Sequence, residues 1–255
     1  DATINLTKEF SIKNLTTVIN HAKDDAGDKF KVIIEKGNIY DLELADSKIN
    51  LNRGKKETKI ESLLRTNGKL NFSQIKKISS LFSLNINNLK NVNGVADLKT
   101  NINFDLDKKF KVKNLSYSVK GDINYLEIDT KERRAVKKYL PEFNSKIIFK
   151  NTNIKLTNST SDRKTELNGV IKMKDNYDSF KIQEIYNYNK KSFDINGIVD
   201  LTNSKVKVPR LNYTKNKGKK SEIGFDINFV LNKYYNIKNL NFLEDKSKIS
   251  LSNIK

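Results

Sequence analysis

Histidine, cysteine and the acidic residues are where chemistry would have to begin, and this chain offers few of them in useful arrangements. His21 is the single histidine, and cysteine is absent from all 255 residues. Neither a thiolate metal site nor a Cys–His nucleophile can therefore be assembled. A lone imidazole between Asn20 and Ala22 reads as an ordinary surface or core histidine. Carboxylates are plentiful, but Asp194, Asp200 and Asp226 fall on the polar parity of alternating stretches, as solubilising residues do. No spacing selects an acid–base pair, and the chain has no nucleophile elbow, phosphate-cradling loop or dinucleotide fingerprint. The expectation is a protein that is not an enzyme and holds neither cofactor nor metal.

The cations could do binding rather than chemistry. A formal net charge of +19 raises nucleic acid or an anionic membrane as a partner. Arg133, Arg134, Lys137 and Lys138 make one basic turn beside Tyr139; Lys215, Lys217, Lys219 and Lys220 make another. Stacking on bases would need aromatics exposed among these cations. Here Phe and Tyr mostly share a parity with Ile, Leu and Val, which buries them with the apolar face. Arginine stands only at 53, 65, 133, 134, 163 and 210, so the charge is carried by lysine in a chain rich in Lys, Asn and Ile. Such a pattern points to compositional drift, and no nucleic acid is expected. A basic nucleic-acid-binding β-protein remains an alternative.

The elements that would position these residues are mainly strands. In FDINGIVDLTNSKVKVPRLNYTKNKGKKSEIGFDINFVL (193–231), Phe193, Ile195, Val199 and Leu201 share one parity. Val206 and Val208, Leu211 and Tyr213, and then Ile223 through Leu231 continue the rhythm. Period-two alternation gives a sheet with one apolar and one polar face. Earlier, Phe30 to Ile34, Tyr40 to Leu44 and Ile49 to Leu51 read as three short strands, with a turn at Lys36-Gly37. The span 94–128 gives the longest strands: Leu98, Ile102, Phe104 and Leu106, then Phe110 and Val112, then Leu115, Tyr117, Val119, Ile123 and Tyr125. After Pro141 come Ile147 and Phe149, Ile154 and Leu156, and Leu167, Ile171 and Met173. A mobile polar loop is expected at 157–165, and 175–192 reads as a further strand pair.

Three stretches break the rhythm and predict short helices. Ile12, Leu15, Ile19 and Ala22 are spaced by three and four behind Ser11. Ile75, Ile78, Leu81 and Phe82 follow a Ser73 cap, and TKERRAVKKYL from Thr130 is stopped by Pro141. Gly68, Gly94, Gly121, Gly169, Gly197 and Gly224 recur at the heads of alternating strands, about one hairpin apart. The fold expected is mainly β: an elongated, twisted antiparallel meander forming an open groove or half-barrel, with a few short helices. Residues 1–255 form a single repetitive β-groove region. The opening Asp1 and the end at Lys255, just after an alternating run, read as those of a fragment of a longer protein, and no start methionine, signal peptide or long apolar run is present. A closed sandwich, its apolar faces packed together, is the competing architecture.

Residues 199–229, VDLTNSKVKVPRLNYTKNKGKKSEIGFDINF, resemble a recurrent segment of the AsmA-like superfamily, in particular its YhdP-type branch. Val199, Asp200, Leu201, Thr202, Pro209, Leu211, Tyr213, Lys215 and Gly218 match that segment. Ser204 stands near its small residue, Tyr213 replaces a commoner Trp, and Lys217 replaces a commoner Pro. The resemblance implies a long β-groove of repeating units, anchored in the inner membrane of a Gram-negative bacterium and crossing the periplasm. Its apolar interior would carry phospholipid acyl chains passively between inner and outer membranes. The expected lining is Leu98, Ile102, Phe104, Leu106, Tyr117, Val119 and Ile123, with Phe193, Ile195, Val199, Leu201, Phe225, Ile227 and Phe229. The partners expected are phospholipid acyl chains, and the membrane through an anchor outside this chain. A structural or assembly module for outer-membrane proteins is the other use the architecture would serve.

Overall fold

The computed structural model describes residues 2–7, 10–40, 42–81, 86, 88–131, 134–173, 175–230 and 233–254. The first strands are β1 (Ala2–Thr7), β2 (Phe10–Asp24), β3 (Gly27–Ile39), β4 (Leu42–Arg53) and β5 (Glu57–Asn71). Helix α1 (Phe72–Leu81) leads to β6 (Leu89–Asp107) and β7 (Val112–Thr130), and α2 (Arg134–Tyr139) leads to β8 (Lys146–Asn158). Then come β9 (Asp162–Lys172), β10 (Tyr177–Asn187), β11 (Ser192–Asp200), β12 (Val206–Val208) and β13 (Tyr213–Lys215). The chain ends in β14 (Ser221–Val230), β15 (Tyr234–Glu244) and β16 (Ser247–Ile254). Fourteen of these strands make one sheet in chain order, with the β12–β13 hairpin set aside between β11 and β14. Every neighbouring pair is antiparallel, and β1 and β16 are left as edges, so the sheet is an open meander and not a barrel.

Among the described residues the second sheet is the two-stranded β12–β13 hairpin, which packs over one end of the face alone, so no closed sandwich forms. The accessible surface is 16326 Å², whereas a compact protein of 29.4 kDa exposes about 11,500 Å². The excess is the unpartnered face of a single layer.

Side-chain parity follows the register. On the apolar face Ile12, Ile39, Leu42, Gly68 and Ala96 lie opposite one another across β2 to β6. Ile123 and Thr152 continue the row on β7 and β8, and Phe180, Val199, Ile223 and Phe242 complete it on β10 to β15. This row holds much of the core: Ile12, Ile39, Leu42, Ala96, Thr152, Phe180 and Phe242 are all buried.

A repeated local device bends the strands beside that row. Asn14, Asp46, Asn114 and Asn151 have positive φ, and each opens a bulge in which two residues oppose one. Asn and Asp tolerate that conformation better than other side chains. The following residue, Leu15, Ser47, Leu115 or Thr152, is turned to the apolar face. Ser47 Oγ donates to the Ala45 carbonyl at 3.1 Å and accepts the Arg65 N–H at 2.9 Å; Thr152 Oγ1 donates to the Lys150 carbonyl at 3.1 Å. The hydroxyls thus satisfy main-chain groups that the bulges would leave unpaired.

Several expectations need correction. Residues 11–22 lie in strand β2, because the Asn14 bulge puts Ile12 and Leu15 on one face at a spacing of three. The run Thr16-Thr17-Val18-Ile19 is β-branched and suits a strand. The expected turn at Lys36-Gly37 lies inside β3, so three short strands are two long ones. Residues 157–165 are mostly β8 and β9 around a turn, and 175–192 hold one strand, β10, and its turn. Of the two later helices, α1 forms where expected, whereas α2 runs from Arg134 and the expected start, Thr130, is the last residue of β7. Asn71, not Ser73, caps α1: its side chain accepts the Gln74 N–H at 3.0 Å while Gln74 Oε1 accepts the Asn71 N–H at 2.8 Å, a reciprocal capping box. Phe82, Arg133 and Leu231 lie outside the described residues.

The recurrent glycines stand within strands rather than at their heads. At Gly121 a Cβ would come within 2.0 Å of the Asp97 carbonyl oxygen, whereas at Gly218, with φ of +84°, it would meet open space. Gly121→Ala is expected to lower the unfolding free energy by about 3 kcal/mol, since main chain must shift. Gly218→Ala should cost only about 1 kcal/mol, for conformation alone. Urea unfolding measures both, and equal losses would show that close main-chain approach is not what selects glycine at 121.

Candidate apolar face and its rims

The two rims of the sheet are built differently. Along one, the connections are the turns at 25–26, 54–56, 108–111, 159–161 and 188–191 and the connection 231–233. Along the other lie α1, α2 and the β12–β13 insertion. Where the insertion sits, that second rim is sealed: Leu201, Val206 and Phe242 are buried together, with Leu140, Met173, Val199, Tyr213, Ile223 and Ile249 packed on them, whereas the β3–β4 and β15–β16 connections on the same rim are short.

Thirteen of the fourteen expected lining residues lie on one face, in two groups, and of these Val199 packs against the buried cluster under the insertion. Ile102 sits opposite Ser62 and Tyr117, Leu98 opposite Thr66 and Gly121, and Phe104 and Leu106 opposite Ile60 and Thr58. Val119 and Ile123 face Leu156 and Thr152. On the other side Phe193 faces Phe229, Ile195 faces Ile227, and Val199 and Phe225 face Ile223 and Gly197. Leu201 is the exception. It lies past the end of β11 and is sealed under the insertion, so it lines nothing open. Tyr117 is also buried, and that burial raises its phenol above the ordinary value.

Between the two groups run β8, β9 and β10, whose share of the face was not singled out from sequence. Ile154 and Leu156 pair with Leu167 and Thr165, and Leu167 pairs with Ile182. Near the tight-turn rim this apolar run is broken by polar groups. Arg163 Nη2 donates to Glu184 Oε1 at 2.8 Å, with the two side chains 17% and 29% exposed. The guanidinium lies 5.7 Å from the Tyr186 ring centroid, and the Tyr188 hydroxyl donates to Asn158 Oδ1. Rings continue from there: Tyr186 lies 4.4 Å from Phe193, and Phe193 stacks on Phe229 at 4.6 Å. Alternation places Arg163 and Glu184 on this face, but nothing local in the sequence shows that they meet.

The second basic turn is not a free cationic patch. Lys215 is fully buried, its ammonium donating to the carbonyls of Leu201, of Thr202 at 2.9 Å and of Ser204 at 2.8 Å. Desolvation lowers its pKa, against the opposing pull of Asp178 and Asp200. Asp178 accepts from Asn203 N–H and Ser204 Oγ, both at 3.0 Å, and Asp200 accepts from Thr202 N–H at 2.8 Å. Lys217 is paired with Glu142 at 3.0 Å and Asp175 at 3.1 Å, and Lys219 with Glu244 at 3.3 Å. The DLTNS…K pattern is therefore a lysine-locked loop.

His21 lies on β2, its Nε2 3.0 Å from Asp28 Oδ1 and its ring stacked on Phe30 at 4.6 Å. Asp194 and Asp226 are on the polar face beside Lys238, at 3.0 and 3.6 Å. Among the described residues no three His, Cys, Asp or Glu side chains cluster as metal ligands, and no helix is long and apolar enough to cross a membrane. A concavity of about 700 Å³ lies on the polar face, with Asn168, Lys181, Asn196 and Asp226 in its lining.

Comparison with protein-family models, with curated proteins and with solved structures finds no match to this chain.

Two outcomes are expected. Lys215→Met leaves three carbonyls without their shared donor and should destabilise by about 3 kcal/mol. Cleavage by protease within 201–220 should become faster than within the sheet; unchanged cleavage would refute the lock. The second concerns acid. The Lys111 and Lys109 N–H groups lower the Asp107 pKa, Lys146 and Tyr125 lower that of Glu127, and Lys164 chiefly lowers that of Glu166. Carboxylates with depressed folded-state pKa values contribute stability that is present above the ordinary range and lost as pH falls through the folded values. The thermal midpoint should hold near neutrality and drop below the ordinary values of 3.8 and 4.5. A midpoint that rises on acidification would contradict this assignment.

Proposed function

We propose that the chain binds phospholipid by its acyl chains along the apolar face and conducts it passively between inner and outer membranes. On this reading it acts without catalysis, in the periplasm, as part of a protein anchored in the inner membrane of a Gram-negative bacterium. The observation that carries the reading is the apolar face that runs across the meander, over which, among the described residues, the second sheet covers only the end under the β12–β13 insertion. An apolar surface of this extent is a docking surface for something apolar. Acyl chains suit it because they are long, flexible and indifferent to which Ile, Leu or Phe they touch. The resemblance of 199–229 to AsmA-like segments supports the same reading. In this protein that segment builds the lysine-locked insertion that seals one rim and leaves the other to head groups and water.

The test is native mass spectrometry of protein purified from cells, together with transfer of fluorescent phospholipid between vesicles. Bound phospholipid is expected. Ile102→Asp and Phe229→Asp should each slow transfer by about tenfold or more, since a buried carboxylate opposes hydrocarbon contact. Lipid-free protein that rejects fluorescent phospholipid, or unchanged transfer by both variants, would refute the reading.

A further inference from the structure

We propose that the Arg163–Glu184 pair is a head-group site for a zwitterionic phospholipid, one with a phosphodiester and an ammonium; this rests on the lipid reading above. A half-buried ion pair contributes little stability of its own, because desolvation offsets much of the attraction. Apolar residues of the same size would hold this part of the sheet equally well. The pair stands where β8 to β10 approach their tight turns, Arg163 as the second residue of β9 and Glu184 three before the end of β10, close to the rim at which a head group would meet water. Glu184 takes one of the five N–H donors that a guanidinium carries. The rest of the fork suits a phosphodiester, which it can bind through two parallel hydrogen bonds. Glu184 lies 2.8 Å from the guanidinium and offers a carboxylate to an ammonium a few ångströms from that phosphate. The charges of the pair and of the head group then alternate. The Tyr186 ring lies beside the fork, its centroid 5.7 Å from the guanidinium. From there the acyl chains run toward the core row over Leu156, Leu167, Ile182 and Ile195. An anionic head group without an ammonium would set its charge against Glu184.

Binding of phosphatidylethanolamine, phosphatidylglycerol and uncharged diacylglycerol to the purified protein tests this. The natural protein should prefer phosphatidylethanolamine over phosphatidylglycerol by about tenfold, the worth of one charge-assisted contact. Arg163→Leu combined with Glu184→Leu should bring that ratio to about one while diacylglycerol still binds. Glu184→Gln is a milder change that keeps a hydrogen-bond acceptor for Arg163, and it should reverse the preference toward phosphatidylglycerol. Equal binding of the two phospholipids by the natural protein, or a preference that survives both variants, overturns the head-group site and leaves the conduction reading standing. Failure of all three lipids to bind removes both.

Discussion

Main-chain hydrogen bonding between neighbouring strands is the interaction on which everything else in this protein depends. In a sandwich or an α/β fold, each strand is held from the side by its neighbours and from above by another layer. Here fourteen strands are held almost wholly from the side. The ladder must therefore be long, and β6 and β7, of nineteen residues each, supply a great length of it. A single layer has the further consequence that apolar side chains on one face cannot all be removed from water by the chain itself.

The bulges are how the chain limits that exposure. A flat sheet would leave Ile34, Leu44 and Thr152 half in water, yet all three are buried. Bending at Asn14, Asp46 and Asn151 brings the neighbours of each closer, and glycine at positions such as 37 and 169 removes the side chain that would resist. Gly169 makes this explicit, since a Cβ there would lie 2.7 Å from Thr152 Cα. Core and curvature are thus two descriptions of one row of residues.

That device also explains what could be read from the sequence. Alternation is a property of each strand, so Leu98 to Leu106, Tyr117 to Ile123, Phe193 to Val199 and Ile223 to Phe229 were legible with their faces, whereas the register shift after Ile123 turns Tyr125 to the polar face, and Phe110 and Leu211 stand in turns, exposed. A bulge adds one residue and reverses the parity, which turns the spacing of two into three. Ile12 and Leu15 then imitate a helix, although Asn14 between them is the residue type that an αL bulge would use. The same signature recurs as Leu44-Ala45-Asp46-Ser47 and Phe149-Lys150-Asn151-Thr152. Side-chain meetings across strands were not legible, because they depend on register, and register accumulates every bulge before it. Arg163 and Glu184, twenty-one residues apart, meet only because β9 and β10 pair without a shift. Burial of Lys215 was hidden for a different reason: its partners are carbonyls, which carry no residue identity.

The difference between the rims gives the open face a direction. Helices and the hairpin insertion occupy one rim, where β11 would otherwise turn straight into β14, and the buried ammonium of Lys215 holds that insertion by main-chain carbonyls rather than by replaceable surface pairs. The opposite rim consists of short connections, and near it stand Tyr186, Tyr188 and Tyr235, side chains with an apolar body and a polar tip. An amphipathic guest on this face has one orientation that satisfies both ends. Its hydrocarbon points to the sealed rim, where Leu201 and Phe242 exclude water, and its polar end points to the turns. On the lipid reading proposed above, a guest so oriented would move across the strands without reversing, since α1, α2 and the insertion all lie on the same rim. Sliding from strand to strand would then exchange one set of aliphatic contacts for a similar one, which is what passive conduction along a single-layer sheet would require.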